Sequence, residues 1–301
     1  TRFRNVTGVQ TCALPILHLI GDGPTDTARL LEDAGAKKII SGIASAKVLV
    51  FKNTTVIEDM AKKNKWTLLN PSAALAEKIE NKITLTDWLE DLAKYLPPYT
   101  IAAAKDLIWK KEPMIIQWAH GHTGDGTILV NNATELQALQ QKFPDRVARA
   151  SAYANGPSFT LNVVVTDKGE LALGNISYQI TGLFPFTENA FSTVGNDWSL
   201  PHSLLNEREV ETIHTIAREV AGKMATDGWH GLFGIDLIKD EERDTIYLLE
   251  INARQPASTT YESVLQSKNR EMGLVGLTVF ESHIQALTGT TNRSEEHTSE
   301  L

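Results

Sequence analysis

The feature that most constrains this sequence is a pair of apolar stretches, 232–238 and 246–251, joined by the polar run 241–245. Short apolar runs flanking a polar turn predict an antiparallel hairpin. With the turn centred on Arg243, Asp236 and Glu250 each lie seven residues away. They therefore oppose one another on one face, with Cβ atoms roughly 5 Å apart. Glu250, Asn252 and Arg254 follow at a spacing of two and share that face. Leu249, Ile251 and Ala253 are expected to point the other way, into a core.

Two facing carboxylates in an apolar sheet repel each other unless a cation or a proton lies between them. Together with an amide oxygen they form an all-oxygen site suited to Mg²⁺ or Mn²⁺ rather than zinc. Arg254, on the same face, can grip a phosphate or carboxylate with two parallel hydrogen bonds. The competing reading is a solvent-facing hairpin. Against it stands the placement of Glu, Asn and Arg in alternation with apolar neighbours.

The ends of the chain read differently from the rest. Residues 293–301 resemble a translated sequencing-adapter oligonucleotide, and 9–16 resemble its reverse complement in a shifted frame. We expect 1–16 and 293–301 to be adapter-like artefacts. Cys12 is the one cysteine. With it set aside, no disulfide, thiolate nucleophile or cysteine-bound metal is expected. The net charge is −8. This acidic balance, without a Lys/Arg run, argues against a nucleic-acid groove. No apolar stretch approaches the roughly 18 residues of a membrane span. No membrane partner is expected, and the cytoplasm is the expected compartment.

Periodicity sketches the remainder. Residues 25–34 read as a helix, 38–40 and 48–51 as strands, 56–65 as a helix capped within Asn53-Thr54-Thr55, and 66–69 as a strand. Such alternation indicates a small α/β sheet. Helices are predicted from about 72 and over 84–95, before Pro97-Pro98. A strand over 113–117 feeds the loop Gly121-His122-Thr123-Gly124-Asp125-Gly126-Thr127, and 128–130 returns. Next come a helix (132–142), a hairpin (159–166 and 170–178), a long helix (207–224) and a closing helix (274–287).

Gly234-Ile235-Asp236 and Leu248-Leu249-Glu250-Ile251-Asn252-Ala253-Arg254 resemble the magnesium-binding signature of the ATP-grasp superfamily. The resemblance covers about Lys82 to Arg254. It implies that Asp236, Glu250 and Asn252 hold Mg²⁺ on the phosphates of ATP, and that Arg254 is catalytic, at the γ-phosphate or an acyl phosphate. It implies an α/β and α+β fold. A truncated Rossmann-like domain (17–75) would precede a two-lobed ATP-grasp domain with antiparallel sheets (76–292; small lobe about 106–150, large lobe about 151–292).

The same resemblance makes 113–130 the loop that covers the phosphates, with His122, Thr123, Gly124 and Gly126 as nucleotide contacts. Glycine backbone can approach phosphate oxygens closely, and no Gly-Lys-Ser/Thr of a Walker motif follows. His120, His122 and Asp125 could also suggest zinc, but a loop makes a poor cage. Lys82 matches the first nucleotide-gripping lysine of the family. The second position falls on Gln117, which can donate a hydrogen bond but adds no charge. The adenine hinge is expected around Arg149, Ser151 and Tyr153, and Gln179 near ribose or phosphate. The expected reaction is an ATP- and Mg-dependent ligation, in which a small-molecule carboxylate becomes an acyl phosphate captured by an amine. A bicarbonate-activating enzyme and a non-catalytic ATP-binding module are the alternatives.

Overall fold

The computed structural model describes residues 26–119, 126–166 and 168–289. The chain opens with α1 (Thr27–Glu32) and α2 (Ala34–Ser41). Asp33 accepts hydrogen bonds from Gly35 N and Ala36 N, and so starts a new helix. That cap is why 38–40 is helical rather than the expected strand: Ile39 and Ile40 belong to an amphipathic turn. β1 (Lys47–Val48), α3 (Thr55–Asn64) and β2 (Thr67–Leu68) follow, with β1 and β2 parallel. Thr54 caps α3 through Ile57 N. Leu31, Val48, Val50, Ile57, Met60 and Trp66 form a small separate core.

Two helices, α4 (Ala73–Glu80) and α5 (Thr84–Leu89), lead into the larger part of the molecule. The helix expected over 84–95 breaks at Glu90, which has a positive φ of 52°, and continues as a 3₁₀ turn. A four-stranded antiparallel sheet comes next: β3 (Tyr99–Ala103), β4 (Met114–Trp118), β5 (Thr127–Val130), α6 (Ala133–Lys142) packed on it, and β6 (Val147–Ala152), in the spatial order β3-β6-β4-β5. Its first strand lies ahead of the expected small-lobe start near residue 106. The segment around Arg149 and Ser151, read as a hinge, is a strand inside this sheet.

The second sheet holds β7 (Ser158–Val165), β8 (Leu171–Leu173), β9 (Ser177–Thr181) and β10 (Thr193–Asp197). After α7 (Pro201–Leu204) and α8 (Glu207–Thr226) it is completed by β11 (Gly231–Asp240) and β12 (Thr245–Asn252). Its order is β10-β9-β7-β11-β12, with β8 beside β7. β7 is buried on both faces, its side chains alternating between them. Phe159, Leu161, Val163 and Val165 pack with α8, α4 and α5 in the main core. Thr160, Asn162 and Val164 alternate onto the opposite face. That face is covered by α9 (Thr259–Glu271) and α10 (Val279–Thr288) at one end and lies open at the other. The helix α9 was not anticipated; its apolar positions are sparse, and Glu262 docks it by accepting hydrogen bonds from Asn162 Nδ2 and Asn175 N.

No helix among the described residues is long and apolar enough to cross a membrane. The link between the sheets passes through Gly156, where an added Cβ would come within 2.1 Å of Lys239 O. On the far face, His283 of α10 accepts the Leu232 N–H through Nδ1 at 2.9 Å. Gly231, with φ of 89°, leaves room for that ring.

This bond gives a pH prediction. Burial, then the nearby His230, pushes His283 down from 6.5 to about 4. As pH falls, the unfolded chain takes up this proton first. The stabilisation is therefore complete above about pH 6.5 and lost towards pH 4, up to about 3 kcal/mol. Urea midpoints measured from pH 7 to 4.5 should fall less steeply for His283→Gln than for the parent. Equal slopes would show that His283 is not the titrating group.

Candidate functional site

A cleft of about 390 Å³ lies between the two sheets. That volume falls within the range of small-molecule sites. The opposed carboxylates lie on its wall. Asp236 pairs with Glu250, as expected, but by a different route. The turn is tighter than predicted: Asp240 faces Thr245, and the Asp240 carboxylate accepts from Glu242 N and Arg243 N. A bulge between Asp236 and Leu237 then restores the register, because Leu237 pairs with Leu248 and leaves Leu249 without a partner in β11. Leu249 therefore does not enter the core as expected. Leu248, Ile251 and Ala253 do, while Leu249 is half-buried and lines the cleft.

The two carboxylates are stabilised in different ways. Asp236 accepts from neutral donors on both oxygens, Thr160 Oγ1 at 2.7 Å and Asn252 Nδ2 at 2.9 Å. Gln179 Nε2 donates to Thr160 Oγ1 at 2.6 Å, which directs the threonine proton towards Asp236. Burial first, and the neighbouring Glu250 second, push Asp236 above the usual carboxylate range. Burial would raise Glu250 too, but the ammonium of Lys82, in direct contact, and then Arg254 hold it below that range. Lys82 is itself fixed by its backbone N–H, which donates to Ala119 O at 3.0 Å at the end of β4.

Arg254 is held by Glu80 of α4, whose other oxygen takes Lys52 at 2.5 Å. Sequence reasoning missed Glu80 and Lys52, although Glu80 lies two residues before Lys82. It also missed Thr160, whose polar side chain interrupts an apolar strand. On the small-sheet side, Arg149 lies directly across from Gln117. Its NH2 donates to Gln117 Oε1 at 2.6 Å and to Leu249 O at 3.1 Å, so it joins the two sheets through the carbonyl at the bulge. Burial lowers Arg149 to about 10, with Glu250 opposing the fall, so it stays charged at neutral pH.

Lys82, Gln117, Gly126, Arg149, Ser151, Tyr153, Gln179, Asp236, Glu250, Asn252 and Arg254 all line this one cleft. His122, Thr123 and Gly124, with His120 and Asp125, lie outside the described residues. Among the described residues no three His, Cys, Asp or Glu side chains cluster to cage a metal. Two carboxylates and the Asn252 amide oxygen nonetheless suit a hard divalent cation. Such a partial set leaves positions for water and phosphate oxygens, as Mg²⁺ favours.

The hydroxyl behind Asp236 yields a measurable expectation. Thr160→Val keeps the shape of the side chain but removes the donor. It should weaken Mn²⁺ binding, measured by electron paramagnetic resonance, by about 10-fold or more, while Thr160→Ser stays near the parent. Equal affinity in all three would exclude the hydroxyl from the site.

A model of the ATP-grasp domain matches residues 79–258, more than half of the chain. No curated protein sequence matches closely. Among solved structures, N5-carboxyaminoimidazole synthetase from Staphylococcus aureus superposes with a TM-score of 0.60 at 15% identity, over 86% of this chain and 64% of that one. D-alanyl-alanine synthetase A from Vibrio cholerae gives 0.59 at 19% identity, over 81% and 76%. Biotin carboxylase from Campylobacter jejuni gives 0.64 at 17% identity, over 87% and 58%. The chain thus spans less than two thirds of the first and third of these proteins, and at such identities the likeness is one of fold. With the family model matched across β3 to β12 and both antiparallel sheets in place, this chain belongs to the ATP-grasp family.

Proposed function

We propose that the cleft binds ATP with Mg²⁺ and catalyses ligation. A small-molecule carboxylate takes the γ-phosphoryl group, and an amine then displaces phosphate from the acyl phosphate, giving an amide, ADP and phosphate. The observation that carries this reading is the Asp236–Glu250 pair with Asn252, set in a cleft between two antiparallel sheets. We further read 76–292 as the nucleotide-binding unit, with its small lobe taking in β3, and 17–75 as the preceding α/β domain. Solved structures of similar fold include an N5-carboxyaminoimidazole synthetase complexed with ADP and an L-amino acid ligase.

When bound, Mg²⁺ would neutralise charge on the phosphates and orient them for in-line transfer. Asp236, Glu250 and the Asn252 oxygen would hold it. Thr160 and Asn252 keep Asp236 in one rotamer, so its coordinating direction is set before ligand arrives. Were Glu250 to hold the cation, the Lys82 ammonium beside it would be free for a phosphate oxygen. Arg254, oriented by Glu80, faces the same space and can meet the transferring group with two donors. A bicarbonate-activating reaction would use the same machinery, and the fold is similar to that of a biotin carboxylase. Gln117, uncharged where the family resemblance implies a lysine, favours a third reading, a module that binds ATP without turning it over.

Mg-dependent ADP release, measured across a panel of amino acids and with bicarbonate in what we take to be a cytoplasmic small-molecule enzyme, separates these readings. Release that requires an amino acid and an amine supports the ligase, and release with bicarbonate alone supports the second reading. Tight ATP binding without turnover supports the module. Glu250→Gln should abolish Mg-dependent turnover, with a melting temperature within a few degrees of the parent. Unchanged turnover would remove Glu250 from the metal site.

A further inference from the structure

Four cations line the described part of the cleft: Lys52, Lys82, Arg149 and Arg254. Three of them are paired with carboxylates: Lys52 and Arg254 share Glu80, and Lys82 meets Glu250. Arg149 forms no ion pair among the described residues, and Glu250 acts on it only at longer range. It is also the most buried of the four after its strand is packed, at 3% exposure. A guanidinium carries five N–H donors. Here the two hydrogen bonds, to Gln117 Oε1 and Leu249 O, both come from NH2, while Nε and NH1 are buried and meet no acceptor. A buried charge with unmet donors costs free energy unless an anion completes it.

The neighbours of Arg149 say where that anion would sit. Its strand partner Gln117 presents a side chain on the same face of the small sheet, and neither residue offers a negative charge. Across the cleft lies Leu249 O, at the bulge beside Glu250. A ligand entering between the sheets can replace these two neutral acceptors, and a planar fork suits phosphate oxygens. An arginine serving only to tie the two sheets would be expected to have its donors filled by the protein.

We infer that Arg149 is the phosphate receptor on the small-sheet side of the cleft, supplying from β6 the positive charge that Gln117 on β4 does not. This rests on the reading of the cleft as a Mg-ATP site. It makes Arg149 a residue that distinguishes nucleotides by their phosphates beyond the first, rather than an adenine contact. Because Gln117 and Arg149 are cross-strand partners, the charge should be movable between them.

Calorimetric titration of the full chain with ATP, ADP and AMP in the presence of Mg²⁺ tests it. For Arg149→Gln, ATP and ADP affinity should fall by about 10- to 100-fold, the loss expected for charge-assisted hydrogen bonds. AMP affinity should change by less than about twofold. The double variant Gln117→Lys with Arg149→Gln should recover most of the lost ATP affinity. Equal losses for AMP and ATP, with a lowered melting temperature, would make Arg149 a strut between the sheets and overturn the inference. So would unchanged ATP affinity in Arg149→Gln, or no recovery in a folded double variant. If the parent chain itself binds no Mg-ATP, the reading of the cleft falls, and the role of Arg149 with it.

Discussion

The site depends on the mutual repulsion of Asp236 and Glu250. They are cross-strand partners in a sheet whose other face is packed with Phe159, Leu161, Ile251 and Ala253. Both carboxylates are largely removed from solvent, so their charges cannot simply be hydrated away. The protein treats them unequally. Asp236 receives neutral donors and is pushed towards the protonated form, while Glu250 receives the ammonium of Lys82 and stays ionised. The elements that deliver those partners come from different parts of the chain: β7 brings Thr160, β9 brings Gln179, and the turn between α4 and α5 brings Lys82. Bringing two like charges together thus ties four separate segments to one point.

The single bulge at Leu249 has effects on both sides of the cleft. It keeps Asp236 and Glu250 in register although the turn is shorter than symmetry would require. It also swings Leu249 out of the core and leaves its carbonyl for Arg149 of the small sheet. The wall that carries the carboxylate pair and the opposite wall are therefore joined through one backbone irregularity, a common position for bulges beside functional sites. The α/β unit at the start of the chain is tied in as well. Gln255 N donates to Phe51 O, and Lys52 reaches Glu80, which orients Arg254. Arg254 is thus set by a helix and a loop far from it in sequence.

What could be read from the sequence followed from local rules. The alternation at Glu250, Asn252 and Arg254 requires only the period of a strand, and opposition to Asp236 requires only a turn near 243. The cap expected within Asn53-Thr54-Thr55 is Thr54, which accepts from Ile57 N; Asn132 and Asn206, not singled out from the sequence, cap α6 and α8 in the same way. The strand assigned to 38–40 failed because two adjacent isoleucines fit either period, and the cap at Asp33 decided between them. The strand β3 was missed because Thr-Ile-Ala-Ala is only weakly patterned, and its strand state comes from pairing with β6.

By itself, then, the sequence determined the hairpin, its polar face and the identity of the charged groups, because these depend on side-chain chemistry and a period of two. Only the tertiary structure decided which charges neutralise one another. Lys82 and Glu250 are 168 residues apart, and Arg254 and Glu80 are 174 apart. No local pattern relates such pairs. Their meeting depends on how the sheets and helices pack, and so does the burial that leaves Arg149 charged and only half satisfied.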